Sequence, residues 1–129
     1  MTRRQIREEI FKMIFQSEFH DADEMPKQME NFLGEKSNLG ANREEIEKKS
    51  NDIIAHKTEI DEAINAAAEK WSTDRMSKVD LSIIRLATYE MKYEELSPAI
   101  AINEAVEIAK KYGSDNSASF VNGVLAKVK

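Results

Sequence analysis

Residues 97–128 have the sequence SPAIAINEAVEIAKKYGSDNSASFVNGVLAKV and predict two consecutive α-helices. Apolar residues recur at intervals of three and four in both halves, as they do on the buried face of a helix. Ser97 can cap the first helix, and Pro98 suits its first turn because an N–H there would lack a partner anyway. Gly113 is expected to end this helix in the left-handed conformation. The segment therefore predicts a helix, a short turn and a second helix.

The junction between these two helices, residues 112–119, combines small, polar and aromatic side chains. Ser114 or Asp115 can cap the second helix. Gly123 lies inside that helix, where glycine costs about 1 kcal/mol relative to alanine, so it indicates the close approach of another group, such as a second helix. The junction is therefore a candidate contact surface.

Helical periodicity also dominates the rest of the chain, and strand-like alternation is nearly absent. The whole sequence contains only four glycines and two prolines. Helices are predicted at residues 2–19, 22–33, 42–56, 59–71 and 78–93, with a loop at 34–42 and a connector at 72–76. Together with the two C-terminal helices, they predict an all-α fold, a compact bundle of about seven helices.

The helix predicted at residues 78–93 is apolar around most of its circumference, so we expect it to be the central buried helix. Arg85 interrupts its apolar surface. Because an unpaired buried charge is very costly, Arg85 must either be paired or emerge at an edge. Glu90 on the same helix, or a carboxylate on a neighbouring one, could pair with it. Trp71 is expected to anchor a helix end rather than to stack on a base.

The composition is typical of a soluble globular protein with one domain, since the 129 residues are 41% hydrophobic and 33% charged. The absence of cysteine excludes a disulfide framework and thiolate chemistry. No apolar run approaches the roughly 20 residues of a membrane helix. The Arg-rich N-terminus lacks the apolar core of a signal peptide. These features predict a cytoplasmic protein without a membrane segment.

Metal binding and catalysis find no support in the sequence. His20 and His56 are the only histidines and do not have ligand spacing. The sequence contains no Gly-rich phosphate loop, no strained nucleophile turn and no zinc-protease motif. Its many carboxylates fall mainly on helix faces that are expected to be exposed. We therefore predict no metal site, no cofactor and no enzymatic activity.

The net charge of −5 argues against a general nucleic-acid binder, whose affinity comes mainly from neutralising phosphates. Basic residues are nevertheless gathered at the N-terminus, where Arg3 and Arg7 share a helix face at i,i+4 and Arg4 lies about 100° around the axis from Arg3. Glu8 can pair with Arg4, so an ordinary surface helix is the alternative interpretation. Phosphate binding needs polar or aromatic groups nearby. Residues 112–119 could supply them if the first and last helices are neighbours.

Several motifs together resemble the NusB family of bacterial transcription antitermination factors. The most specific are INEAVEIAKKYG at residues 102–113 and SDNSASFVNGVL at residues 114–125. The similarity extends to VDLSIIRLATYEM at residues 79–91, to Trp71 and, more weakly, to the Arg-rich start with IFQSE at residues 14–18. The resemblance implies a single NusB-like RNA-binding domain over residues 1–129. It also implies seven helices in two small helical subdomains, at about 1–57 and 58–129.

The resemblance further implies what such a protein does. It implies binding of single-stranded boxA-type RNA in transcripts of ribosomal RNA operons, without catalysis. The implied protein partner is NusE, a small-subunit ribosomal protein that forms a heterodimer with NusB. The implied assembly is the RNA polymerase antitermination complex with NusA and NusG.

By position, the resemblance assigns two sets of residues. The RNA-binding set is Arg3, Arg4, Arg7, Gln16, Tyr112, Asn116, Ser117 and Phe120. The partner-protein surface lies around the fifth helix, at Arg75, Asp80, Ile84 and Arg85.

The sequence departs from the family pattern at three positions. Tyr112 stands where the family often has phenylalanine, which keeps a stacking ring and adds a hydroxyl. Asn116 stands where an acidic residue is common, and its neutrality is expected to ease contact with phosphates or base edges. Phe15 replaces a frequent tyrosine, which puts one polar contact in doubt.

Two alternatives differ from an antitermination factor. The chain could be the NusB-like RNA-guiding module of a ribosomal RNA methyltransferase, which requires a catalytic domain that these 129 residues do not contain. It could instead be a helical adaptor that acts through protein contacts alone, for example as a homodimer.

Overall fold

The structure, a computed structural model, describes residues 1–20, 23–34 and 40–129. Within these ranges it contains seven α-helices, two short 3-10 turns and no strand, which confirms the predicted all-α class. The helices are α1 Arg3–Ser17, α2 Met25–Gly34, α3 Arg43–Ala55, α4 Lys57–Ala67, α5 Lys78–Tyr93, α6 Pro98–Tyr112 and α7 Ser117–Val128. The 3-10 turns are Gly40–Asn42 and Thr73–Arg75. Most of the predicted loop at 34–42 lies outside the described residues.

The chain divides into two compact units, residues 1–55 and residues 56–129. In the first unit, α1 packs against α3. The contact is apolar, because Ile6, Ile10, Met13 and Ile14 of α1 and Ile46 and Ile53 of α3 are all at most 2% exposed. This burial of isoleucine and methionine side chains holds the N-terminal helix in place.

In the second unit, α5 packs against α4, α6 and α7. All ten residues from Leu81 to Glu90 are buried, so the prediction of a central buried helix is confirmed. Its start is capped by Ser77, whose hydroxyl accepts a hydrogen bond of 3.1 Å from the Asp80 backbone N–H. The observed bounds of α5 are those predicted from the sequence.

The end of α4 differs from the prediction. The helix ends at Ala67 rather than at Trp71, and Ala68 has left the helical conformation with φ −90° and ψ 75°. Trp71 is 50% exposed, so it does not anchor the helix end by burial as expected. Of the helices in the described ranges, none combines the length and apolar composition needed to cross a membrane.

The turn between α6 and α7 also differs from the prediction. Gly113 has extended backbone angles, φ −93° and ψ −173°, so the predicted left-handed conformation is wrong. The glycine is required for another reason: a Cβ there would overlap the side chain of Ser117. The residue at the cap position of α7 is Asn116 rather than Ser114 or Asp115.

Candidate nucleic-acid interface

The first candidate group lies at the start of α1. Thr2 forms a capping box with Gln5, in which the Gln5 backbone N–H donates to Thr2 Oγ1 at 3.1 Å and the Thr2 backbone N–H donates to Gln5 Oε1 at 2.8 Å. This cap begins the helix so that Arg3 and Arg4 fall in its first turn, where no acidic residue occurs. A helix N-terminus already carries positive potential, so added arginines make it a stronger attractor of anions.

Arg3 has an anionic partner that the sequence did not indicate. Its guanidinium donates two hydrogen bonds to the carboxylate of Glu45 on α3, of 3.1 Å from Nη1 and 2.5 Å from Nη2. These hydrogen bonds lower the pKa of Glu45, against an opposing effect of partial burial. The side chains are 62% and 40% exposed, so the pair lies at the surface. An RNA phosphate that binds Arg3 has to compete with this carboxylate.

The other candidate RNA-binding residues on α1 differ in exposure and in their position around the helix. Arg4 is exposed, Arg7 is half-buried one turn after Arg3, and Gln16 is half-buried near the end of the same helix. Gln16 follows Arg7 by nine residues, which corresponds to about 180° around the axis and about 13.5 Å along it. The three arginines therefore form one group, and the helix does not bring Gln16 to it.

The second candidate group lies at the turn between α6 and α7. Ser117 is only 2% exposed. Its hydroxyl accepts a hydrogen bond of 2.9 Å from the backbone N–H of Ser114 and lies 3.3 Å from the Ser114 hydroxyl. The side chain of Ser117 therefore serves to hold the turn, and its predicted contact with RNA stays a prediction.

Asn116 and Tyr112 present their side chains differently from Ser117. Asn116 is exposed, and its amide makes no capping hydrogen bond although it stands at the cap position of α7. Tyr112 is half-buried, and the Lys111 ammonium lies 5.4 Å from the centre of its ring. This turn and the end of α6 thus carry an exposed amide and an aromatic ring beside a cation, and groups of these kinds can contact base edges, base faces and phosphate.

Phe120 lies one turn further along α7 and contacts a residue that was not predicted as part of the site. The rings of Phe120 and Trp71 meet edge to face, with centroids 6.2 Å apart and planes at 90°. The exposure of Trp71, which depends on α4 ending early, could not be read from the sequence. Gly123 has no atom within 4 Å of the position that a Cβ would occupy, so the approach of another helix predicted for it is absent from the described part of the chain.

The NusB family model matches residues 4–129. The chain belongs to the NusB family. A protein of Agathobacter rectalis named transcription antitermination protein NusB is 53% identical over 129 residues, which cover 98% of each chain. The structure of NusB from T. maritima is similar with a TM-score of 0.83 and 36% identity, over 99% of this chain and 90% of that one.

A second solved structure shows a relative in a complex. It is a crystal structure of the antitermination factors NusB and NusE with double-stranded RNA. The matching chain has a TM-score of 0.80 and 25% identity, and the match covers 99% of this chain and 97% of that one. The seven-helix fold predicted from the NusB-like motifs is thus confirmed by members of the family.

The residues that the NusB likeness assigns to a protein partner lie around the start and middle of α5. Arg75 is exposed and Asp80 is half-buried, whereas Ile84 and Arg85 are buried at 0% and 4% exposure. Arg85 forms an ion pair with Asp61 of α4, as one of the two sequence interpretations predicted. Only the first two side chains therefore reach the surface of this unit, and contact of all four with a partner stays a prediction.

The RNA-binding residues predicted from the NusB likeness are divided between the two units. Arg3, Arg4, Arg7 and Gln16 belong to residues 1–55, and Tyr112, Asn116, Ser117 and Phe120 belong to residues 56–129. The structure brings residues together within each unit, and a common surface formed by both groups stays a prediction. Across the described ranges, no three His, Cys, Asp or Glu side chains are grouped so that they could hold a metal ion.

Proposed function

We propose that this NusB-family protein is an RNA-binding transcription antitermination factor without catalytic activity. It binds single-stranded boxA-type RNA of ribosomal RNA operons as a heterodimer with NusE. The observation that carries this proposal is the turn between α6 and α7, where the Asn116 amide is exposed and the Tyr112 ring, four residues earlier, lies beside the Lys111 ammonium. The complex of a related NusB with NusE and RNA supports the same classes of partner.

The two groups of the site have different roles in this proposal. The arginines at the start of α1 neutralise phosphates, which adds affinity but no sequence information. The turn at Tyr112 and Asn116 contacts unstacked bases, whose faces accept an aromatic ring and whose edges accept an amide. Sequence preference therefore resides in the second unit, and salt-dependent affinity resides mainly in the first.

The proposed protein partner binds at the N-terminal end of α5. Arg75 offers an exposed cation there. Asp80 Oδ1 is buried, and it has no hydrogen-bond partner within the described residues. A partner protein cannot reach this buried oxygen, so in this proposal Asp80 contacts the partner through the exposed part of its half-buried side chain. Together the proteins join RNA polymerase, NusA and NusG in the cytoplasm.

A binding titration tests the proposal. Fluorescently labelled boxA-like RNA, a scrambled strand of the same length and a boxA-like duplex are titrated with the protein, each with and without NusE. We expect the boxA-like single strand to bind most tightly and NusE to increase its affinity. Equal and weak binding of all three RNAs, in the presence of NusE as well, contradicts the proposal.

Two alternatives predict different outcomes. A helical adaptor or homodimer captures its partner equally well after RNase treatment, and light scattering reports its self-association without RNA. A methyltransferase module binds ribosomal RNA but shows no preference for boxA and no dependence on NusE. The match of relatives named NusB along 98% of their length favours the antitermination factor.

A further inference from the structure

An open pocket lies between the connector after α4 and the outer face of α7, within the second unit. Its volume is about 240 Å³, and Trp71, Phe120 and Gly123 are among the residues that line it. Lys70 and Lys127 also line it and are exposed. None of these residues except Phe120 belongs to the RNA-binding set assigned by the NusB resemblance.

We propose that this pocket holds one unpaired nucleobase of the bound RNA, stacked on Trp71, while Lys70 and Lys127 contact the adjacent phosphates. The inference rests on the proposed RNA-binding function and adds a subsite to it. The pocket continues the site directly, because Phe120 and Ser119 line it and lie on the turn of α7 that follows Asn116.

The rings explain why the occupant is aromatic and flat. Trp71 is 50% exposed although a large apolar ring gains free energy from burial. Phe120 meets it at 90° and thus forms a corner rather than a cover. A nucleobase that slides into this corner stacks on one ring and meets the edge or face of the other, an arrangement that tolerates any base.

Gly123 keeps the pocket open. It lies three residues after Phe120 on the same face of α7, and, apart from the backbone of that helix, no atom of the described residues comes within 4 Å of the place where a Cβ would stand. Packing against the described chain therefore does not require glycine at this position. A ligand that approaches the helix backbone does require it, since any side chain would project toward the pocket.

The charges favour a nucleotide over an apolar peptide segment. Two lysines but only one carboxylate, Glu69, line the pocket, so its lining carries a net positive charge. Stacking on an aromatic side chain combined with cations for the backbone is the usual means of binding single strands. An apolar helix or loop of a partner protein would leave these ammonium groups without a charge partner.

Trp71 is the only tryptophan of the chain, so its emission reports on the pocket directly. The full chain is titrated with labelled boxA-like RNA while RNA anisotropy and Trp71 emission are recorded together. We expect RNA to quench the emission along the same curve as the anisotropy rises. Trp71→Leu should weaken binding roughly 5- to 100-fold, and Trp71→Phe should retain most of the affinity.

Two further variants keep the test independent of the loss of tryptophan. Gly123→Leu fills the pocket without removing a ring, so it should weaken binding and reduce quenching while thermal unfolding shows a folded protein. Tyr93→Leu is the matched control, because Tyr93 is a 43% exposed aromatic residue outside the pocket. Its affinity should equal that of the unchanged protein.

The outcomes separate this inference from the function on which it rests. If anisotropy shows tight binding but Trp71 emission stays constant and Trp71→Leu binds normally, the pocket is not an RNA subsite and the proposed function stands. If emission responds to NusE without RNA and not to RNA, the pocket binds protein and the inference is overturned. Absence of RNA binding, even with NusE, overturns both.

Discussion

Arg85 on α5 donates two hydrogen bonds to Asp61 on α4, each of 2.8 Å, from Nε to Oδ1 and from Nη2 to Oδ2. The side chains are 5% and 20% exposed. Burial raises the pKa of Asp61 to about 6 and lowers that of Arg85 to about 10. Both groups are therefore still charged at pH 7. This fork-to-carboxylate pair joins the central helix of the second unit to its neighbour.

Replacing Asp61 with alanine leaves the buried Arg85 charge without this partner. We expect Asp61→Ala to lower the free energy of unfolding by about 3 kcal/mol, near the lower end for buried pairs because Asp61 is partly exposed. Glu62→Ala, at an exposed position on the same helix as Asp61, is the control and should change stability by less than about 0.5 kcal/mol. Urea unfolding measures both. The double change Asp61→Leu with Arg85→Met should recover most of the lost stability. If Asp61→Ala and the control variant change stability equally, the structural role of the pair is contradicted.

The two glycines near the C-terminus should respond oppositely to alanine. A Cβ at Gly113 would overlap Ser117 and crowd the Ala109 carbonyl, so Gly113→Ala should destabilise the protein by about 1–3 kcal/mol. Gly123→Ala places a methyl group in open space within a helix, so it should stabilise the protein by about 0.5–1 kcal/mol. Thermal unfolding of the two variants gives the comparison. A stabilising Gly113→Ala would show that the turn can open without cost.

Variants in the two groups of the proposed RNA site should have different effects, one on overall RNA affinity and the other on the preference for boxA-like RNA. Arg7→Gln should weaken binding of boxA-like and scrambled RNA alike and reduce the slope of log affinity against log salt by about 0.7. Asn116→Ala or Tyr112→Leu should mainly reduce the ratio between the two RNAs. Lys48→Gln, a 77% exposed cation on α3, is the control. A loss of preference in Arg7→Gln with an unchanged salt slope would reverse the assignment of roles.

The pair of Arg3 and Glu45 should make stability depend on acid pH. The pKa of Glu45 in the folded protein lies below its ordinary value of 4.5, so the unfolded chain binds more protons between the two values. The stabilisation is therefore complete above pH 4.5 and is lost as the pH falls through the folded pKa. It should amount to less than about 1 kcal/mol because the pair is exposed. Urea unfolding measures the free energy of unfolding of Glu45→Gln and of the unchanged protein across acid pH. This free energy should depend less on pH in Glu45→Gln, and the same dependence in both proteins contradicts a stabilising role of the pair.

Local patterns in the sequence were enough to predict the helices. The bounds of α5 agree with the prediction, because a helix surrounded by apolar residues and preceded by a serine cap depends on neighbours three and four positions away. The arginines of α1 and the junction of α6 and α7 were predicted as candidate sites for the same reason. Their residue types and spacing lie within single helices or a single turn.

The side-chain contacts between these elements were decided only by the tertiary structure. Arg3 meets Glu45 across 42 positions of the chain, and Arg85 meets Asp61 across 24. Trp71 meets Phe120 because α4 ends early and α7 packs beside it. The burial of Ser117 likewise follows from the turn that Gly113 permits. Helical periodicity is a property of near neighbours, whereas a partner for a charge or a ring depends on which helices pack together. The sequence alone therefore determined an all-α chain with a basic N-terminus and a polar, aromatic C-terminal turn. Folding determined which carboxylates pair with Arg3 and Arg85, and that Trp71 lines an open pocket.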